Sequence, residues 1–179
     1  MKRSAKHVPV KLVIGLFSQD LSSIARARKM LERRFGHIES ESPLMNFSCT
    51  KYYEKEFGSD LKKIFLSFRR LVPLEGHYSI KLHTNALEKK LSKKGKRTVN
   101  IDPGYVSLPN LILYTTKNRS HRVYLDRGVY AEVELTYENR TFRHLDWTYP
   151  DYRSTDYISF FNSVRAGYYR DIQKTNCAN

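Results

Sequence analysis

The stretch VPVKLVIGLFSQDLSSIARARKMLERRFG, residues 8–36, contains two apolar patterns in succession. Val8 to Phe17 is an apolar, β-branched run that predicts a strand, and the polar residues 18–20 that follow are typical of a helix cap. Apolar residues then recur at helical spacing from Leu21 to Phe35, and Gly36 stands where such a helix ends. The stretch therefore predicts a strand followed by an amphipathic helix, the start of a βα unit.

Three further segments precede residue 92. Leu44 to Phe57 is rich in aromatic residues and is predicted to be extended. Lys62 to Val72 alternates like a strand, although its spacing also fits a helix, and we favour the strand. Ile80 to Leu91 has helical spacing and predicts a second helix.

The remainder of the chain is rich in strand patterns. Asp102-Pro103-Gly104 predicts a tight turn. Arg122 to Tyr137 predicts a hairpin that turns at Asp126-Arg127-Gly128. Ser154 or Thr155 is placed to cap a final helix.

These patterns predict an α+β fold of one domain over residues 1–179. We expect an antiparallel or mixed sheet, the early βα unit, a C-terminal helix and a flexible basic N-terminus over residues 1–7. No apolar tract is long enough to span a bilayer, and the run after the basic start is too short for a signal peptide. A cytoplasmic protein that does not enter membranes is therefore expected.

Positive charge dominates the composition, because 32 Lys and Arg against 18 Asp and Glu give a net charge of +14. A surface of this sign attracts polyanions, so RNA or a nucleotide is an expected partner. The same surface could serve only to keep the protein soluble, since net charge bears on association and not on fold. The oligomeric state does not follow from the sequence.

The chain lacks the motifs of several common sites. Cys49 and Cys177 are too few for a disulfide framework, and the six histidines lack the spacing of a zinc site. There is no P-loop, no GxSxG, no HExxH and no Rossmann glycine fingerprint. Cys49 has no evident base near it in sequence, so a catalytic thiol is not expected.

Polar residues that could carry chemistry concentrate between residues 81 and 153. Asn100 and Asp102 surround the predicted turn, where they either bond their own backbone or point into a cleft. Thr115 to Arg122 holds three cations, one histidine and several small polar donors. This segment would suit a phosphate group, or it would be a solvated basic loop.

Two glutamates, Glu132 and Glu134, share one face of a predicted strand. They could hold Mg²⁺ bridged to phosphate oxygens, but we favour cross-strand ion pairs with Arg122 or Arg143. We expect both glutamates to stay out of the core, because an unpaired buried carboxylate is costly. The opposite face, which we expect to contact the core, carries Val129, Ala131, Val133 and Leu135.

The segment from Trp147 to Arg153 combines the only tryptophan with two tyrosines, an aspartate, an arginine and a proline. Aromatic rings interleaved with cations can stack a base and hold a phosphate. The same rings could instead form an apolar lid that holds the last helix on the sheet.

Several motifs resemble those of an uncharacterised bacterial domain-of-unknown-function family, from about residue 8 to residue 173. The matching segments are Pro9-Val10-Lys11-Leu12, Tyr52-Tyr53-Glu54-Lys55-Glu56, Lys81 with Thr84-Asn85, Val99 to Tyr105, His121 to Leu125, Tyr130-Ala131-Glu132 and Trp147 to Tyr152. Some members carry the label "GTP-binding protein", and the resemblance implies a bacterial cytoplasmic protein but no activity. The residues themselves do not support GTP, because Thr116-Lys117 is not followed by the aspartate of a guanine-reading element.

Three functions are compatible with these residues. The first is a module that binds a nucleotide or RNA in a polar cleft, and the second is a Mg²⁺-dependent enzyme on such a ligand that uses Asp102, Glu132 and His121. The third is a protein-interaction module whose polar motifs are structural. We expect one concave site, with Trp147 and Tyr152 on its rim, that gathers Asn100, Asp102, Lys117, His121, Arg122, Glu132, Asp151 and Arg153.

Overall fold

The structure is a computed structural model that describes residues 7–47, 54–58 and 60–177. Cys49 and all but the last residue of the N-terminus expected to be flexible lie outside these ranges. Within them, the strands are β1 (Val10–Ser18), β2 (Ile38–Glu41), β3 (Met45–Asn46), β4 (Lys62–Val72), β5 (Asn100–Val106), β6 (Asn110–Thr115), β7 (Val123–Asp126), β8 (Val129–Glu138) and β9 (Thr141–His144). The α-helices are α1 (Leu21–Phe35), α2 (Glu54–Phe57), α3 (Tyr78–Leu91) and α4 (Thr155–Cys177), and a 3-10 helix spans Pro150–Arg153.

All strand pairs in the sheet are antiparallel. The strand order is β2-β4-β1-β5-β6-β8-β7, with β3 paired to β4 and β9 paired to β8. This confirms the α+β prediction, the early βα unit and the C-terminal helix. The strand interpretation of Lys62–Val72 is also confirmed.

Strand β1 lies inside the sheet, paired with β4 on one side and β5 on the other. All nine of its residues are buried, because helices cover both faces of the sheet. Lys11 is buried among them, and its ammonium donates to Glu39 at 2.8 Å and to Asp171 at 2.6 Å. A charge in this position is tolerated only because it is paired and hydrogen-bonded.

Helix α1 begins where the sequence predicts it. The Asp20 side chain accepts a hydrogen bond from the Ser22 amide at 2.9 Å, which satisfies a donor that the helix itself leaves unpaired. Hydrogen bonds from Ser22 and Ser23 hold the pKa of the Asp20 carboxyl well below its usual range. Gly36 follows the helix with φ of 95°, a backbone region that favours glycine.

Each face of the sheet has its own apolar cluster. On one face, residues of β1 pack against Ala27 and Leu31 of α1 and against Leu87 of α3. On the other face, the centre of the Phe65 ring lies 4.6 Å from the centre of the Tyr157 ring and 4.9 Å from that of the Phe161 ring. The sheet is therefore a middle layer, with α1 and α3 on one side and α4 with the 3-10 helix on the other.

Two predictions of local structure are wrong. The segment Leu44 to Phe57 is not one extended run, because β3 covers only two residues and Glu54–Phe57 is helical, while residues 48–53 lie outside the described part. Asp102-Pro103-Gly104 is not a turn but the middle of β5, which pairs with β1 from Asn100 to Val106. The proline is tolerated because β6 pairs only with Gly104–Val106, so β5 has a free edge beside Pro103.

The expected exposure of the glutamates on β8 is wrong as well. Glu132 and Glu134 are buried, since the 3-10 helix and the loop before it cover their face of the sheet. A register shift between β6 and β8 also moves Leu135 to the face that α4 covers. Within the part of the chain that the structure describes, no helix combines the length and the apolar character needed to cross a membrane.

Candidate functional site

The polar residues of interest lie near one end of the sheet, which we call the polar end. The pairing of Ser18 with Lys62 and of Phe17 with Asn100 places the end of β1 beside the starts of β4 and β5. Thr115, at the end of β6, pairs with Tyr130 near the start of β8. Antiparallel pairing thus brings together residues that are far apart in the sequence.

The free edge of β5 forms the first cluster at the polar end. Lys81 of α3 donates to the Ile101 carbonyl at 3.1 Å and to Asp102 at 3.3 Å, and Glu88 accepts from the Ile101 amide at 2.6 Å. The side-chain amide of Asn100 donates to the Asp102 carboxylate at 2.5 Å. The helix therefore supplies the partners that a neighbouring strand would otherwise provide, which buried backbone groups require.

Arg97 extends this cluster towards α2. Its guanidinium contacts both carboxylate oxygens of Glu56, at 2.6 and 2.7 Å, as well as Glu88 at 3.1 Å and Asn100 at 3.2 Å. These carboxylates raise the pKa of Arg97 above its ordinary value, while burial raises the pKa of Glu88. Bidentate contacts of this kind are rigid, so the start of β5 is held from several directions.

Glu132 is the centre of the second cluster. It accepts hydrogen bonds from Arg122 at 2.9 and 3.2 Å and contacts His121 at 2.9 Å. The Arg122 guanidinium also donates to the Tyr149 hydroxyl at 2.7 Å and to the Lys117 carbonyl at 2.8 Å. The ion pair between Glu132 and Arg122 is one of the two pairings that the sequence leaves open, the other being with Arg143.

The third cluster is buried between β4, β8 and the 3-10 helix. Lys63 and Asp151 form an ion pair at 2.6 Å, with side chains 4% and 8% exposed. The Lys63 ammonium also lies over aromatic rings, at 4.5 Å from the centre of Tyr152. Such a pair is satisfied by its surroundings and leaves no charge for a ligand in solvent.

Glu134 lies next to this ion pair and is fully buried. One of its oxygens accepts from the Tyr149 amide at 2.7 Å, and the other has no hydrogen-bond partner within the described ranges. Burial, with the nearby charges of Glu132 and Asp151, raises the pKa of Glu134 to about 8. The raised pKa favours the neutral, protonated form of this side chain in the folded protein.

Trp147 lies at the surface beside the Glu132 cluster. It is 43% exposed, its indole N–H donates to the Val133 carbonyl at 2.8 Å, and its ring stacks on His121 with centres 5.5 Å apart and planes 12° apart. An open hollow of about 570 Å³ adjoins both rings and is also lined by Ser120 and Asp146. The hydrogen bond and the stack fix the orientation of an exposed aromatic ring.

The structure distributes the residues expected in one site over the three clusters, of which the second and the third adjoin at Glu134. Asn100 and Asp102 lie in the first cluster, His121, Arg122 and Glu132 in the second, and Asp151 in the third. Tyr152 is in the core and not on a rim, with only 3% of its surface exposed. The Arg153 guanidinium donates to the Thr148 and Asp146 carbonyls at 3.0 and 2.9 Å, so it holds the loop before the 3-10 helix.

Sequence reasoning gave no site role to four residues of these clusters and placed a fifth outside the core. They are Lys63, Lys81, Glu88, Arg97 and Glu134 in its buried role. A signal exists for two of them, because Lys81, Thr84, Glu88 and Leu91 share the buried face of α3 at spacings of three and four. A polar residue on the apolar stripe of a helix predicts a buried hydrogen-bond partner.

The fold and the clusters define a basic α+β protein with a three-layer arrangement and a paired polar network at one end of its antiparallel sheet. The chain belongs to the family described as domain of unknown function DUF4416, which matches residues 8–168. Comparison with curated proteins and with solved structures found no match.

Proposed function

We propose that the protein binds a phosphate-bearing ligand, a nucleotide or single-stranded RNA, in the hollow beside Trp147. The observation that carries the proposal is the exposed indole held by the Val133 carbonyl and stacked on His121. A ring fixed in this way offers a stacking surface for a base without further loss of side-chain freedom. Stacking of a base on an aromatic side chain contributes about 1–3 kcal/mol.

Cations for the phosphate groups lie on the loop that forms one wall of the hollow. Arg119 precedes Ser120 and His121 of the lining, is exposed, and has no ion pair with any residue in the described ranges. Lys117 is exposed on the same loop. Arg122 and Arg153, which the sequence suggested for this role, already donate to protein groups. The phosphate contact is therefore assigned to Arg119, whereas Lys117 lies near enough to Glu56 to lower the pKa of that carboxyl.

The alternative of a Mg²⁺-dependent enzyme gains less support from the geometry. Glu132 and Asp151 each contact a cation of the protein, and so does Asp102. Among the described residues, no group of three His, Cys, Asp or Glu side chains is arranged to hold a metal ion. Mg²⁺, GTP as the particular nucleotide and a cytoplasmic location remain predictions.

Tryptophan fluorescence tests the proposed function directly, because Trp147 is the only tryptophan. Titration with GTP, ATP and an oligouridylate should quench its emission through stacking, whereas inorganic phosphate alone should not. Arg119→Ala should lower the affinity measured by this quenching at least about tenfold, since a charged hydrogen bond contributes about 1.5–3 kcal/mol. Arg143→Ala, which removes an exposed cation from β9, is the matched control and should change little. Unchanged emission at millimolar concentrations of all three ligands would contradict the proposal.

A further inference from the structure

Helices α1 and α3 lie side by side on one face of the sheet. The exposed surface of α1, the last turn of α3 and the turn after it are rich in cations. We call this surface the basic helical face. It includes the turn after α3, and its exposed cations are Arg26, Lys29, Arg33, Arg34, Lys89, Lys90, Lys93, Lys94 and Lys96.

The acidic residues of these elements do not neutralise the basic helical face. Asp20 caps α1, Glu88 is buried against β5, and Glu32 bonds Arg28 at 3.4 Å and the Ile38 amide at 3.2 Å. Within the described ranges, only one of the nine cations has an ion pair, Lys93 with Asp20 at 3.5 Å. The face is therefore an unneutralised concentration of charge, unlike the polar end, where cations and acids are paired.

We propose that the basic helical face is a docking surface for the phosphodiester backbone of a nucleic acid. Helix α1, with 15 residues, is about 20 Å long, and about 20 Å of a duplex carries about twelve phosphate charges. A free phosphate or a mononucleotide would contact only a few of the nine cations. The surface matches a polymer of phosphates in its extent as well as in its sign.

A nucleic acid fits this face better than an anionic membrane does. A helix that binds at a membrane surface inserts its apolar face among the lipids. Here Ile24, Ala27 and Leu31 of α1, and Leu87 and Leu91 of α3, are buried against the sheet. On the two helices only Leu21, at the start of α1, is an exposed large apolar side chain, so the outer surface offers charge without an apolar stripe to insert.

The inference goes beyond the proposed function, because the basic helical face shares no residue with the hollow beside Trp147. Loss of binding at the basic helical face therefore does not imply loss of binding in the hollow, and the converse also holds. Arg119→Ala should leave binding to the face intact, and removal of cations from the face should leave the fluorescence response to GTP intact.

The test compares two variants that each remove five positive charges. The first replaces Arg26, Lys29, Arg33, Lys89 and Lys90 with Gln, and the control replaces the exposed cations Arg69, Arg70, Arg143, Arg170 and Lys174 with Gln. Both variants have the same net charge, so only the position of the charges differs. Binding to a 20-base-pair RNA, the same DNA sequence and a 20-nucleotide single strand is measured by fluorescence anisotropy at increasing KCl.

We expect the wild-type protein to lose affinity steeply with salt, as counterion release requires. The first variant should bind at least about tenfold more weakly at about 0.1 M KCl and show a slope of log K against log salt that is smaller by about 3–4, since each lost phosphate contact removes about 0.9. The control should stay within about threefold of wild type. The order of affinity among the three oligonucleotides then identifies the nucleic acid that the face prefers.

Three results would overturn the inference: equal losses in both variants, no binding of any oligonucleotide by the wild type, or binding of phosphatidylserine vesicles in place of nucleic acid. Lys89 and Lys90 lie in the last turn of α3, where cations stabilise a helix, so melting temperatures are measured for both variants. If the first variant does not fold, replacement of Lys93, Lys94 and Lys96 in the turn with Gln provides the same comparison, with a threefold control at Arg143, Arg170 and Lys174.

Discussion

Glu134 is a carboxyl group that the fold removes from contact with water. It is fully buried, accepts one hydrogen bond from the Tyr149 amide and faces the carboxylates of Glu132 and Asp151 as well as the ammonium of Lys63. Burial is the main cause that raises its pKa from 4.5 to about 8, and the two carboxylates add to it. Between these two values the folded protein keeps a proton that the unfolded chain releases.

The free energy of unfolding should therefore fall, through this group, as the pH rises from about 4.5 to about 8. Glu134→Gln keeps the acceptor for the Tyr149 amide and cannot ionise. The stability of the variant relative to wild type should thus increase with pH in this range, by about 1 kcal/mol for each pH unit.

Urea unfolding of both proteins at several pH values measures this difference. The comparison is needed because burial lowers the pKa of His77 and of His83, which titrate in the same range in both proteins with the opposite effect. A difference that does not change with pH would mean that Glu134 is ionised in the folded protein.

At the scale of elements, the hairpin of β5 and β6 depends on a close approach of two backbones. A side chain at Gly104 would place its Cβ 2.1 Å from the Ile112 carbonyl oxygen of β6. Real Cβ atoms do not approach this closely, so the strands would have to separate. Gly167 of α4 is the opposite case, because the nearest atom to a Cβ there is the end of the Arg170 side chain at 3.8 Å.

Replacing each of the two glycines with alanine should therefore change the stability of the protein in opposite directions. Gly104→Ala should destabilise the protein by about 1–3 kcal/mol or more through overpacking. Gly167→Ala should stabilise it by about 0.5–1 kcal/mol, because glycine inside a helix is less favourable than alanine. Chemical denaturation measures both, and equal effects of the two changes would show that β5 and β6 are not as close as described.

At the scale of the whole molecule, two electrostatic effects on stability oppose each other. Repulsion that follows from the net charge of +14 destabilises the folded state, whereas the buried ion pairs stabilise it. Repulsion among exposed cations is screened by salt, with a Debye length of about 10 Å at 0.1 M. The pairs between Lys63 and Asp151 and between Arg122 and Glu132 are mostly buried and are screened much less. Salt should thus relieve the repulsion more than it weakens the attraction.

The melting temperature should accordingly rise by a few degrees when NaCl is raised from about 0.02 M to about 0.3 M. Differential scanning calorimetry measures this change. Potassium sulfate at equal ionic strength serves as a control for specific anion binding, which would raise the temperature further. A fall in melting temperature would show that exposed ion pairs, and not the excess of positive charge, dominate the electrostatics.

The sequence by itself determined the features that depend on neighbours along the chain. The apolar run of β1, the alternation of Lys62–Val72 and the period of about 3.6 residues in α1 predict these three elements, because each pattern reflects which sides of a single element are apolar. The charge of +14 likewise follows from composition alone.

Only the tertiary structure decided which faces are covered and which charges meet. Alternation on β8 identifies two faces but cannot show that the 3-10 helix covers Glu132 and Glu134. The partners Lys63 and Asp151 are 88 residues apart, and they meet because the strand order and the return of the chain over the sheet place them together. A buried charge pairs with an opposite charge that lies close to it in space. That distance depends on how the strands and helices pack and not on the sequence between the two residues.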